Sequence, residues 1–194
     1  MNQSNHRVLL ASQSPRRSEI LKSMRISFDV EPALIEEVFR EDYTPIENVI
    51  AIAEAKARWV AIRNKNRFII GADTIVVLED QIMGKPTNKD DAHYILSLLS
   101  GKRHRVITGV VVLNPLGNCF PEATESHVKF KEMTSTEIKN YIETGEPMDK
   151  AGAYAIQGEG AAFVESYSGS WSNIVGLPVE TVESLLQIAG YPTK

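Results

Sequence analysis

The sequence is poor in cysteine, in aromatic residues and in surplus positive charge, and each shortage closes off a class of function. Its one cysteine, Cys119, supports neither a disulfide framework nor a cysteine-built zinc site, and fits a reducing compartment. Lysine and arginine number 21 against 25 aspartates and glutamates, a net charge of −4, so bulk positive charge does not hold nucleic acid. Aromatics make up 7% of the chain and are dispersed, without the stacking platform of single-strand binders. No apolar run nears the ~20 residues of a membrane span. The polar stretch Met1–Arg7 has no signal-peptide core. His6, His93, His104 and His127 are scattered without metal-ligand spacing. Internal repeats and low-complexity tracts are also missing.

What remains is an ordinary globular composition. Of 194 residues, 43% are hydrophobic and 24% charged, enough for a real core in a single domain spanning 1–194. The expected compartment is the cytoplasm. The punctuation alternates strands and helices. Val8–Ala11 reads as a strand, then Ser14 and Pro15 as the cap and first position of a helix. Ser27–Val30 is a second strand candidate. Thr44-Pro-Ile-Glu47 is a capping box opening a long helix, with Ile46, Val49, Ile50, Ala53, Ala57 and Val60 at helical spacing. Phe68–Leu78 reads as a buried strand, Asn88–Leu99 as a helix and Val106–Leu113 as a strand. A turn over Asn114–Asn118 leads to a strand around His127–Phe130. Thr134-Ser-Thr-Glu137 is a second capping box, whose helix stops at Gly145. A strand near Ala162–Tyr167 and a helix from Pro178 to about Ala189 close the pattern. The interleaving predicts an α/β fold with a mixed, twisted sheet and flanking helices.

Chemistry concentrates in a few places. Arg16 and Arg17 sit in the first turn of the helix opened by Pro15, where positive charge opposes the helix dipole. They are either solvated surface side chains or the partners of an anion drawn to the free N–H groups of that turn. Asp73, beside Thr74, interrupts an apolar strand, where a carboxylate is costly without a partner or metal. A metal-bound or general-base role suits it; a strand-edge carboxylate capped by backbone donors is the bland alternative. Gly84-Lys85-Pro86 resembles a phosphate-binding lysine only loosely. Lys56 has the ordinary explanation of a surface lysine, and Glu36-Glu37 that of a solvated acidic pair. Asp149–Gly158 sets small residues beside polar ones, either for close approach to a flat ligand or as a tight junction. Cys119 reads as structural or incidental.

Taken together, Leu10-Ala-Ser-Gln-Ser-Pro-Arg-Arg17, Ala55-Lys-Ala57, Gly71-Ala-Asp-Thr74, Gly84-Lys-Pro86, Leu99-Ser-Gly101, Asp149–Gly158 and Val175-Gly-Leu-Pro178 resemble the Maf family of nucleotide pyrophosphatases over nearly the whole chain. The resemblance implies a mixed α/β fold, related to inosine triphosphatases, with two lobes around a nucleotide-binding cleft. It implies metal-dependent hydrolysis of nucleoside triphosphates to the monophosphate and pyrophosphate, with Mg²⁺ or Mn²⁺ as cofactor. Asp73 matches the proton-acceptor position. Ser12, Arg17, Glu37, Lys56 and Lys85 match positions lining the triphosphate, with Asp73 and Glu37 toward the metal. Arg16, Thr74 and Gln157 match three positions that set base choice, in the combination of the branch acting on dTTP and UTP. The sister branch, preferring 7-methyl-GTP, carries Trp, Gln and Glu there. A homodimer is compatible with the resemblance, while the negative net charge, the dispersed aromatics and the lack of a long apolar run speak against nucleic-acid and membrane partners. The alternative is a nucleotide sensor linked to septum formation that does not turn its ligand over.

Overall fold

The structure, a computed structural model, describes residues 7–192; His6 and the polar stretch before Arg7 lie outside them. Seven strands form one mixed sheet: β1 (Val8–Leu10), β2 (Phe28–Val30), β3 (Ile69–Leu78), β4 (Gln81–Met83), β5 (Arg103–Leu113), β6 (Cys119–Phe130) and β7 (Val164–Ser168). The order is β2-β1-β3-β5-β6-β7, with β4 paired to β3. β1 runs parallel to β2 and β3, whereas the β3–β4 and β6–β7 pairs are antiparallel. The helices are α1 (Pro15–Ser23), α2 (Pro45–Ala61), α3 (Lys89–Leu99), α4 (Ser135–Glu143), α5 (Trp171–Val175) and α6 (Val179–Ile188).

The chain divides into two compact units. The first takes in the chain through Asp73, Thr108–Thr124 and the chain from Gly176; the second takes in Thr74–Ile107 and Glu125–Val175. In the first unit the period-2 alternation of the strands sorts the core onto two faces. Val8, Leu10, Ile70, Ala72, Val110 and Val112 pack with Leu21 of α1 and Val182, Leu185 and Leu186 of α6. Leu9, Ala11, Ile69, Val111 and Leu113 pack with Ala53, Ala57 and Val60 of α2. Helix α2 forms where the capping box predicts. The Thr44 hydroxyl accepts the Glu47 N–H while the Glu47 carboxylate accepts the Thr44 N–H.

Two glycines let α2 lie directly on the sheet. A Cβ at Gly71 would fall 2.1 Å from the Ala53 carbonyl oxygen, and one at Gly109 2.6 Å from that of Val49. Ile69, Gly71 and Asp73 alternate with Ile70 and Ala72, so Asp73 faces the same helix as Gly71. This contact positions the chemistry described below.

In the second unit α3 and α4 pack together. Phe130, Tyr154 and His104 meet edge to face, with ring centroids 4.7–5.4 Å apart. His104 is therefore a core residue, and burial pushes its pKa down to about 4. The segment from Glu146 to Phe163 is three short 3-10 turns, Glu146–Asp149, Ala151–Ala153 and Glu159–Phe163.

Several expectations shift at their edges. The strand expected around His127 begins at Cys119; its first half is mostly half-buried and contains the exposed Pro121 and Glu122, so it carries no clean alternation. β4 and α5, three and five residues long, are too short to show a period. Ile46 is 44% exposed, while Ile52 is buried on the helix face instead.

Gly71→Ala should destabilise the protein by about 1–3 kcal/mol, because the added methyl meets backbone that cannot rotate away. Gly84→Ala, whose Cβ meets nothing within 4 Å, should stay within about 0.5 kcal/mol. Denaturant unfolding of the two variants checks the pair.

Candidate functional site

The first unit gathers Ser12, Arg17, Lys56, Asp73 and Glu37 into one charged cluster. Asp73 leaves β3 on the face covered by α2 and is 5% exposed. Lys56, one residue before the Ala57 that packs over Gly71, is 7% exposed. Its Nζ donates to Asp73 Oδ1 at 2.7 Å and lies 2.7 Å from Glu37 Oε1. The lysine is thus no surface side chain, and the acidic pair is not simply solvated: Glu37 reaches in from an exposed loop to share its ammonium.

Arg17 is also buried, at 9% exposure. It lies in the first turn of α1, which carries no acidic residue. Its Nε donates to the Gly176 carbonyl at 2.8 Å and its Nη1 to Ser12 Oγ at 3.1 Å. The same Ser12 oxygen accepts the N–H of Ser14, the N-cap residue, at 3.2 Å. Ser14 holds the cap position with its backbone, and its own side chain makes no capping bond. Arg16 is half-buried.

Burial pushes the Asp73 carboxyl above the ordinary aspartate range and Glu37 adds to this; the Lys56 charge and hydrogen bond and the Arg17 charge oppose it without cancelling it. Burial lowers Arg17 as well, against the attraction of Asp73 and Glu37; a guanidinium stays charged regardless. A buried carboxylate with a raised pKa, bonded to Lys56 and in the field of Arg17, is equipped to take up a proton.

The second unit holds Thr74, Lys85 and Gln157. Thr74 is half-buried, while Lys85 and Gln157 are exposed. The structure joins the two motifs that carry the latter pair: the Gly152 N–H donates to the Gly84 carbonyl at 3.0 Å. Two residues the sequence did not single out, Tyr141 and Glu146, bind the backbone on either side of Gln157. The capping box that opens α4 was the one available pointer to their neighbourhood.

Among the described residues no three histidine, cysteine or acidic side chains converge as a metal cage. Asp73 and Glu37 are two hard oxygen donors joined through Lys56. That set fits a hard cation that takes one or two carboxylates and completes its shell with water and phosphate oxygens.

An α/β protein with a buried arginine and lysine held against paired carboxylates, beside a helix N-terminus, belongs to the class built to handle phosphate anions. The family model described as Maf-like protein matches residues 7–189. The chain belongs to the Maf-like family. It is 44% identical over 190 residues to the dTTP/UTP pyrophosphatase of Caldicellulosiruptor saccharolyticus, covering 95% of this chain and 96% of the relative. It is 50% identical over 175 residues to that of Alkaliphilus metalliredigens, covering 89% and 91%. A solved HAM1 protein from Coxiella burnetii aligns with a TM-score of 0.49 at 15% identity, over 94% of this chain and 98% of that one.

Lys56→Met should cost about 3 kcal/mol near neutral pH, because it leaves Asp73 buried without its closest cation. Without Lys56 the folded-state pKa of Asp73 rises further above its unfolded value. Folding then takes up a proton, and stability is lost as pH rises between the two values. The deficit against wild type should therefore shrink in mildly acidic buffer. Denaturant unfolding across a pH series reads it, and a pH-independent deficit would contradict the pairing.

Proposed function

We propose that this protein hydrolyses nucleoside triphosphates, dTTP and UTP foremost, to the monophosphate and pyrophosphate. The observation that carries the reading is the buried Arg17–Lys56–Asp73–Glu37 cluster, in a chain whose relatives bear the name dTTP/UTP pyrophosphatase. A triphosphate carries about four negative charges, so a protein of net charge −4 must concentrate cations locally. Arg17 can grip phosphate oxygens through its guanidinium, and the N–H groups opening α1 add donors. Asp73 accepts the proton of the water that attacks the α-phosphorus, and Lys56 holds that carboxylate in place. Lys85 supplies positive charge for the departing pyrophosphate.

Asp73 and Glu37 would hold Mg²⁺ or Mn²⁺, which when bound supplies charge neutralisation on the phosphate oxygens. For the choice of base we infer a part for Gln157, Arg16 and Thr74. Uracil and thymine present an acceptor at O4 beside a donor at N3–H, and a side-chain amide carries one of each. The ready supply of nucleoside triphosphates makes the cytoplasm the natural compartment.

Purified protein with Mg²⁺ should release pyrophosphate from dTTP and UTP, and chelator should stop it. Stoichiometric nucleotide binding with no product would favour a sensor instead. Asp73→Asn keeps an acceptor oxygen for Lys56 but cannot take a proton, so turnover should fall on the order of 10²- to 10⁴-fold; because the change also removes one of the two counter-charges of Lys56, a melting curve accompanies it.

Gln157→Glu replaces a donor–acceptor pair by acceptors alone. The kcat/KM for dTTP and UTP should drop roughly 5- to 150-fold. Guanine presents two adjacent donors, so the gap to 7-methyl-GTP should narrow. A uniform loss on every substrate would leave Gln157 without a part in base choice.

A further inference from the structure

Gln157 is an exposed side chain on a turn, yet the turn beneath it is held more tightly than an ordinary loop. Tyr141, in the last turn of α4, is buried with its ring edge-on to Phe163, centroids 5.2 Å apart. Its hydroxyl donates to Glu146 Oε1 at 2.7 Å and accepts the Ala155 N–H at 3.1 Å. Glu146 Oε1 also accepts the Gly160 N–H at 3.1 Å, and Oε2 accepts the Glu159 N–H at 3.0 Å. The Gly158 N–H returns to the Ala155 carbonyl at 3.3 Å and closes the turn. Two side chains therefore fix backbone donors at 155, 159 and 160, on both sides of residue 157.

The fit leaves no slack. A Cβ at Gly158 would fall 2.0 Å from Glu146 Oε2, so glycine follows Gln157 because the carboxylate occupies that space. Burial by itself would raise the Glu146 carboxyl; the hydrogen bonds from Tyr141, Gly160 and Glu159 outweigh it and keep the group below the ordinary glutamate range. Glu146 is thus a charged acceptor, which binds N–H groups more strongly than a neutral one.

We propose that Tyr141 and Glu146 are positioning residues for base selection: together they clamp the turn so that the Gln157 amide is presented to the pyrimidine in one orientation. This rests on the reading that Gln157 contacts the base. The physical gain is preorganisation. A glutamine on a free loop must order both its side chain and its backbone when the nucleotide binds, and the clamp removes the second cost before binding. Neither residue touches the reacting atoms in this account, so the clamp acts on KM and on base choice rather than on the chemical step.

The test measures kcat and KM for UTP and GTP in wild type, Tyr141→Phe, Glu146→Gln, Gln157→Ala and the Glu146→Gln/Gln157→Ala double variant. Tyr141→Phe removes one hydroxyl, and Glu146→Gln turns part of the acceptor into a donor facing N–H groups. Each should raise KM for UTP roughly tenfold, leave kcat within about twofold and shrink the UTP-to-GTP ratio of kcat/KM. In the Gln157→Ala background, Glu146→Gln should add almost nothing to the UTP loss, since the side chain it orients is gone. Circular dichroism and melting curves accompany every variant; if Glu146→Gln fails to fold, the milder Tyr141→Phe and its double with Gln157→Ala decide. Wild-type protein that releases no pyrophosphate from UTP would overturn the hydrolase reading and this proposal with it. An active wild type whose clamp variants lose UTP and GTP turnover equally, or through kcat alone, would overturn the positioning role and leave the hydrolase reading standing. So would full additivity with Gln157→Ala.

Discussion

An ammonium group buried between two carboxylates sets the terms for the first unit. Lys56 is 7% exposed, and its Nζ sits 2.7 Å from oxygens of both Asp73 and Glu37. Removing such an ion from water costs several kcal/mol unless partners replace the solvent. The partners can do so only because helix and strand approach closely. Gly71 omits the side chain that would strike the Ala53 carbonyl, and Ala53 and Ala57 keep the helix face low. A larger residue at any of the three positions would lift the lysine off the strand. Asp73 follows Gly71 by two residues on the same face, so one helix–strand contact determines both the depth of the lysine and the surroundings of the carboxylate.

The charges of the cluster also balance. Arg17 and Lys56 balance Asp73 and Glu37, which leaves no large net charge buried. The four groups are nonetheless not equivalent. Arg17 is fixed by the Gly176 carbonyl and Ser12, Asp73 by its strand, and Glu37 reaches from an exposed loop. Burial lowers the pKa of Arg17 and raises that of Asp73. Rigidity and desolvation act together here, since a side chain that could swing into water would not hold a perturbed pKa.

The fold was legible wherever a period or a cap repeats over enough residues. The Thr44 and Thr134 capping boxes, the apolar run through Phe68–Leu78 and the last helix from Pro178 read directly from the chain. β4, α5 and the first half of β6 did not, because three to five residues, or a run containing Pro121 and Glu122, carry no period to detect. For the site, Asp73 announced itself as a charge in an apolar strand, whereas Lys56 looked like any helix-surface lysine. Its burial depends on Gly71 and on Glu37, residues 15 and 19 positions away, and no local pattern encodes that. The resemblance to the Maf family singled out Lys56 and Glu37 where local physics could not. Glu146 escaped both routes, since its role lies in backbone N–H groups that look alike in every sequence.

The two units thereby illustrate two ways of fixing a polar group. In the first, the functional side chains are themselves buried, and packing determines where they lie. In the second, Gln157 is exposed, so burial does not orient it. Backbone control is the remaining means, and it requires acceptors strong enough to hold N–H groups that water would otherwise solvate. A carboxylate receiving the Gly160 and Glu159 N–H groups and the Tyr141 hydroxyl meets that need where a neutral amide would not. The charge of Glu146 therefore serves geometry, while that of Asp73 is the more easily neutralised. The difference lies in the donors around each carboxylate: backbone and phenol hydrogen bonds keep Glu146 ionised, while burial in an apolar strand holds Asp73 nearer to protonation.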